Sequence, residues 1–211
     1  MSFIEGRKVN LRPLTRADVG ERWLGWLNNP FLLKYRGPKA FPSVLPDLYR
    51  YVEEMSGDWD QKDELRLAVM LENEHIGNIT LGSMNWVHRS AELNILIGET
   101  SGQGHGTDAI VALTKHALEN MGLLRVWAES PNPAFNKIMC KLKWAHEGTK
   151  REAFLLDGKR VDIECWGLLA REQTDLRPQL GKHFERVESI NLPQYHLRKI
   201  VMPKFPQGER G

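Results

Sequence analysis

Cysteine is scarce in this chain: only Cys140 and Cys165 occur among 211 residues. Neither stands in a metal-ligand spacing, and the pair makes no disulfide framework. Both lie inside apolar stretches, so they read as two buried free thiols kept in a reducing compartment. Long apolar runs are missing as well. None approaches the roughly 18–20 residues needed to cross a bilayer, and the opening MSFIEGRKVN has no apolar signal-peptide region. Blocks of like charge are also absent. The 29 Lys+Arg and 27 Asp+Glu are scattered, giving a net charge of +2, too mild a balance to argue for nucleic acid or an acidic membrane surface. The expectation is a cytoplasmic protein with no nucleic-acid partner, no membrane partner and no metal.

What is present is an ordinary globular composition, with 41% apolar residues. A chain of this length hides roughly 70% of its unfolded surface in one domain. That domain is expected over 1–172. Beyond about 173 the prolines at 178, 193, 203 and 206 interrupt the chain and apolar periodicity is lost. Residues 173–211 therefore read as an appendage. Its apolar residues, among them Phe184, Ile190, Leu192 and Tyr195, suggest that 176–202 pack on the domain or on a second subunit, giving a homodimer. The last residues, PKFPQGERG, are expected to be mobile.

Within the domain, RKVNLRPL (7–14) reads as a first strand closed by Pro13. Thr15 and Asp18 offer caps for a helix through GERWLGWLNN, which Pro30 ends because the residue before proline is pushed out of helical geometry. A second helix is expected over 46–56. Residues 64–71 and 76–83 read as antiparallel strands around ENEH, and 90–98 as the next strand. A helix at 107–121, a strand at 123–129 and a helix at 134–143 follow. The domain ends in a hairpin, REAFLL and RVDIECWGLL joined by Asp157-Gly158, a strong turn signal between apolar runs.

The segment 91–109, AELNILIGETSGQGHGTDA, carries the chemistry. A strand runs into Gly102, Gly104 and Gly106 and straight on into a helix. Glycines let backbone N–H groups approach an anion closely, and a helix start adds unpaired donors and a positive dipole end. The arrangement predicts a phosphate or pyrophosphate cradle over Gly102, Gln103, Gly104, His105, Gly106 and Thr107; a flexible strand-to-helix turn is the bland alternative. Two nucleotide motifs are excluded. No lysine follows the glycines as a P-loop requires. The spacing G-x-G-x-G, deep in the chain, is not the G-x-G-x-x-G of a first βαβ unit.

These residues resemble the GNAT superfamily of N-acetyltransferases. Its [QR]-x-x-G-x-[GA] motif places Ser101 in the Gln/Arg position and is matched by Gly104 and Gly106. Its downstream asparagine and K-L-G-F helix end are matched by Asn132 and KLKW, with Lys143 and Trp144 where Gly and Phe usually stand. RKVNLRPLTRAD, WLNNP, IGNITL and REAFLLDGKRVD look like the RimJ/RimL-like branch, and the resemblance covers about 7–172. It implies an α+β fold: a mixed, largely antiparallel GNAT-type sheet flanked by helices on both faces and splayed beside the cofactor strand. It also implies acetyl-CoA as cosubstrate, held by the glycine loop, by the main chain of Ile95, Leu96 and Ile97, and by Asn132, with a weaker case for Asn136. The acceptor is then an amine, either a small molecule such as an amino sugar or a peptide N-terminus.

Acyl transfer to an amine needs a proton acceptor, because a lysine-like amine is mostly protonated at neutral pH. Glu92 stands near the start of the strand, where this branch often carries a glutamate. It reads either as general base, directly or through water, or as a structural ion-paired carboxylate. Asn132 also reads as an N-cap, a role that coexists with a cofactor contact. His105 reads as an exposed loop residue. Met139 replaces the tyrosine that many members use to protonate the departing thiolate, and reads as core. By resemblance, Trp26, Tyr35 and Phe41 border the acceptor site. The departures at Ser101, Met139 and Lys143 keep a rival in view, an idle acetyl-CoA-binding or scaffold protein.

Overall fold

Eight strands make one sheet in the computed structural model, which describes residues 2–36, 41–54, 63–99 and 102–173. The chain enters through β1 (Ile4–Glu5) and β2 (Asn10–Pro13), followed by helices α1 (Glu21–Asn28), α2 (Pro30–Leu33) and α3 (Leu45–Glu53). Strands β3 (Leu65–Leu71), β4 (Glu74–Asn85) and β5 (Ser90–Ile97) come next, then α4 (His105–Lys115), β6 (Arg125–Ser130) and α5 (Pro133–Lys141). The hairpin β7 (Ala145–Leu156) and β8 (Lys159–Leu169) ends the described part. The spatial order is β1-β2-β3-β4-β5-β6-β8-β7. Every pairing is antiparallel except β5 with β6.

The two sheet faces are read out by period two along β5. Leu96 turns to a core built from Trp23 and Trp26 of α1, Leu48 and Val52 of α3, and Ala68 and Met70 of β3. Its neighbours Ile95 and Ile97 turn to the other face, where Gly106 of α4 lies against them. On that side α4 buries Ala109, Ile110, Ala112 and Leu113, the 3.6-residue stripe expected of a helix on a sheet. Helices therefore cover both faces, as the resemblance implies.

The expected elements appear with moved ends. Thr15 and Asp18 cap a 3-10 turn at Arg16–Asp18, not α1 itself. Asp18 accepts from the Thr15 N–H at 2.7 Å and is held by Arg12 at 2.5 Å. The expected helix over 107–121 starts two residues earlier, and its last turn, His116–Asn120, widens to π geometry, with Met121 N–H bonding to His116 C=O. The short helix α2 was not anticipated. Asn29 caps it by accepting from the Phe31 N–H at 2.9 Å, with Pro30 at its first position. The buried-thiol expectation is corrected: both cysteines are free, but Cys140 is exposed on α5 and Cys165 half-buried. Apolar neighbours in sequence do not bury a residue whose own position faces away from the core. The appendage, with the segment 176–202 expected to pack on the domain or form a homodimer, lies from 174 onward outside the described residues, as does Ser101.

Candidate active site

Sequence places three glycines at the end of β5, and each is used differently. Gly102 and Gly104 both take φ of +86°, the left-handed region in which a Cβ is strained. Gly104 is the N-cap of α4, and the first helical bond runs from Asp108 N–H to its carbonyl at 3.0 Å. The N–H groups of Gly106 and Thr107 thus have no partner within the helix and point out of its positive end. Gly106 is small so that α4 can lie against Ile95 and Ile97, with 3.3 Å to Ile97 at the place a Cβ would occupy. His105 is not exposed. It opens α4 at 7% exposure, because the first turn of the helix is already docked.

A strand pair remote in sequence steadies this loop. Asp108 accepts from the backbone N–H groups of Lys8 and Val9 at 2.7 and 3.1 Å. Lys8 Nζ donates to the Gln103 carbonyl at 2.8 Å, which leaves an ammonium beside Gly104. Lys8 was not singled out from the sequence, since nothing local marks a lysine one hundred residues away as a neighbour.

Beside the loop the sheet comes apart. β5 pairs with β6 only through Ser90, Ala91 and Glu92, opposite Arg125, Val126 and Trp127. Beyond that the two strands diverge. Gly98 N–H bonds to Ile76 C=O on the β4 side, and the Leu96 carbonyl abuts Gly77 of β4. By alternation, the peptide groups of Ile95 and Ile97 then face the gap. The Leu96 peptide is then turned toward β4 and its side chain toward the core. Gly98 itself must lack a side chain, since a methyl there would collide with the Trp26 indole. That indole is buried and donates to Glu99 at 3.3 Å.

On the α1–α3 face of β5 lies a cavity of about 250 Å³. Asn94 and Leu96 of β5, and Asn78 and Thr80 paired with them on β4, form its floor. Trp23 and Leu27 of α1, Arg36, and Asp47, Leu48 and Tyr51 of α3 form its walls. Asn78 is pinned, accepting from the Trp23 indole and donating to His75, each at 2.8 Å. Burial pulls His75 below its usual pKa, which suits a neutral ring accepting that bond. Burial likewise pushes the Tyr51 phenol up, against a hydrogen bond with Thr80. The Arg36 guanidinium donates to the Ile95 carbonyl at 3.2 Å, at the junction of cavity and gap.

Glu92 shares the face of Asn94 but stands one step along the strand, about 7 Å away at β-strand rise, and does not line the cavity. Its carboxylate accepts from Ser83 Oγ at 3.3 Å. At the far side of the gap, Asn132 caps α5, accepting from Ala134 N–H at 2.9 Å. Asn136 is committed at both ends, donating to Ser130 C=O at 3.3 Å and accepting from Trp166 Nε1 at 3.0 Å. Met139 is fully buried. Of the aromatics expected near the acceptor, Trp26 underlies Gly98, while Phe41 is largely exposed. Among the described residues no cluster of three or more His, Cys, Asp or Glu is arranged to hold a metal ion, and no helix is long and apolar enough to cross a membrane.

A splayed β5–β6 pair ending in a glycine loop at a helix start, with a largely apolar cavity on the same strand, suits a long phosphorylated donor meeting a second substrate. Comparison with known proteins agrees. Residues 8–144 match the family described as acetyltransferase (GNAT) domain. The chain belongs to the GNAT family. It is an acetyl-CoA-dependent N-acetyltransferase. This acetyltransferase is 28% identical over 158 residues to spermidine N(1)-acetyltransferase of Escherichia coli K12, covering 72% of this chain and 80% of that protein. Among solved structures, spermidine N-acetyltransferase from Vibrio cholerae in complex with CoA and spermine superposes with a TM-score of 0.70 at 22% identity, covering 79% of this chain and 98% of that one. Mycobacterium smegmatis RimJ in complex with CoA-disulfide does so with a TM-score of 0.69 at 15% identity, covering 82% and 93%. At such identities the two structures speak for the fold alone.

Proposed function

We propose that this acetyltransferase moves the acetyl group of acetyl-CoA onto a primary amine by direct attack, without a covalent enzyme intermediate. The observation that carries this reading is the shared strand: Asn94, Ile95 and Leu96 line the cavity on one face, and the same strand from Ile95 to Ile97 borders the β5–β6 gap along its edge. A donor lying in the gap and an amine in the cavity would meet at its backbone. The residues present fit the cosubstrate. First-turn N–H groups from Gly104 to Thr107, with Gly102 and Gln103 before them, would hold the pyrophosphate, and Lys8 adds a cation there. The gap-facing peptide edge of Ile95 and Ile97, where the Ile95 carbonyl also accepts from Arg36, would pair with the pantetheine arm. An N–H on that edge, aimed at the thioester oxygen, would stabilise the charge that develops there. Asn132 would cap α5 and border the arm; Asn136 is assigned to support, since Trp166 and Ser130 occupy its amide.

Glu92 remains the proposed proton acceptor. Its place one step beyond Asn94, outside the cavity wall, favours transfer through a water over direct contact. The acetyl group supplies the electrophile, the amine forms the new C–N bond, and the coenzyme leaves as thiolate and takes up a proton.

The test is release of free thiol from acetyl-CoA over a panel of small amines, amino sugars and N-terminal peptides. Thiol release that depends on the amine, with a product heavier by one acetyl group, is the expected result. Acetyl-CoA binding with no thiol release from any amine would favour the idle scaffold instead.

A further inference from the structure

The wall of the cavity carries a positive charge, Arg36, that makes no ion pair among the described residues. Arg36 has no carboxylate within ion-pair distance among the described residues, and Tyr51 is a polar neighbour of its guanidinium. Its side chain reaches solvent, yet the cleft around it is deep enough that burial pulls the guanidinium below its usual pKa. An arginine stays charged nonetheless, so a partly dehydrated cation stands in the wall. Asp47 is the one carboxylate lining the cavity, and it is already paired with Arg50 at 2.8 Å. A guanidinium has five N–H donors, and its bond to the Ile95 carbonyl uses one of them. That bond also fixes where the charge sits, beside the strand edge at which amine and thioester would meet.

We infer that the acceptor is an amine that carries a carboxylate close to the reacting nitrogen, and that Arg36 selects it. The inference rests on the acetyl-transfer reading and narrows it. A carboxylate would regain for Arg36 the charge-assisted, two-pronged bond that the cleft withholds. A polycation such as spermidine would instead bring further positive charge beside an unbalanced one. The rest of the wall, Trp23, Leu27, Leu48 and Tyr51, suits an apolar side chain of modest size in about 250 Å³.

The experiment compares thiol release with phenylalanine, leucine and methionine against the amines that lack only their carboxylate, with spermidine alongside. For at least one pair, the amino acid is expected to exceed its amine by tenfold or more in kcat/KM, and spermidine is expected to be a poor acceptor. Arg36→Leu should collapse that ratio through the acceptor KM, and Arg36→Lys should restore part of it. The melting temperature, measured separately by calorimetry, reports whether either variant has lost the fold. Equal or better turnover of the carboxylate-free amines or of spermidine by the wild-type enzyme would overturn the inference while leaving acetyl transfer standing. An unchanged ratio in folded Arg36→Leu would do the same. Absence of thiol release from every amine would overturn acetyl transfer, and the inference with it.

Discussion

The two sides of β5 are built on different principles. On the gap side the proposed ligand contacts are main-chain groups: the open edge of Ile95 and Ile97 and the first turn of α4, shaped by glycines at φ of +86°. On the cavity side they are side chains from α1, the segment after α2, α3, β4 and β5. A backbone site tolerates almost any side chain that does not obstruct it, so it suits a donor that never changes. A side-chain site changes with each substitution, so specificity for the acceptor can vary while the fold stays. The comparison explains how the same fold can appear in enzymes named for spermidine and in one named RimJ.

The sharpest way to break this contrast is at Glu92. Glu92→Gln keeps size and hydrogen-bonding capacity but removes the carboxylate, and turnover is expected to fall by roughly 10²–10³. Acetyl-CoA affinity should hardly move, because loop and strand backbone are untouched. The deficit should shrink as pH rises and more of the amine is already neutral, which a pH–rate profile of both enzymes would record. Wild-type turnover near pH 7 would leave Glu92 as a partner of Ser83 and nothing more.

Next in size is Gly104→Val. A branched residue at φ of +86° is strained, and its side chain would stand over the N–H cluster beside Lys8. Acetyl-CoA binding should weaken tenfold or more, at least about 1.4 kcal/mol, by calorimetry on folded protein. Unchanged affinity would move the pyrophosphate site elsewhere.

Asn132 sharpens the comparison, because it belongs to backbone architecture and still presents a side chain. Asn132→Ala should cost about 1 kcal/mol for the lost cap, read as a lower melting temperature. Asn132→Asp should keep the cap. A rise in the acetyl-CoA KM for Ala beyond that for Asp would show a cofactor contact in addition.

The smallest effect is a pH dependence of stability. Burial holds His75, under the cavity, and His116, at the end of α4, below their usual pKa. Below the ordinary histidine value of about 6.5 the unfolded chain therefore binds protons that the folded chain refuses. Stability contributed by the neutral rings is complete above that value and declines as pH falls toward the folded pKa. The melting temperature should drop on acidification from pH 7.5 to 5.5, and His116→Gln should flatten part of the slope. A slope that both variants, His75→Asn and His116→Gln, leave intact would assign the effect to other groups.

Much of this protein was legible in its sequence. Period-two runs, the Asp157-Gly158 turn and the helical stripes mark nearly every strand and helix, because each is set by neighbours within a few residues. The glycine turn into α4 was legible for the same reason: G-x-G-x-G between a strand and a helix is a local instruction to the backbone. Asn132 announced its cap through the Pro133 that follows it. The acceptor side was not legible. Arg36, Asp47, Tyr51, Asn78, Thr80 and Asn94 share no local pattern, and only the sheet register and the packing of α1 and α3 bring them around one cavity. Lys8 reaches Gln103 only because β1 and β2 fold back against α4. Exposure was likewise decided late: Cys140 and Cys165 sit among apolar residues yet are exposed and half-buried, while His105 looks like a loop residue and is buried. Sequence determines what the chain does with its own backbone over short spans. Which side chains meet across long spans is decided by tertiary packing, since the energy that joins them comes from the whole sheet and its helices and is written in none of them alone.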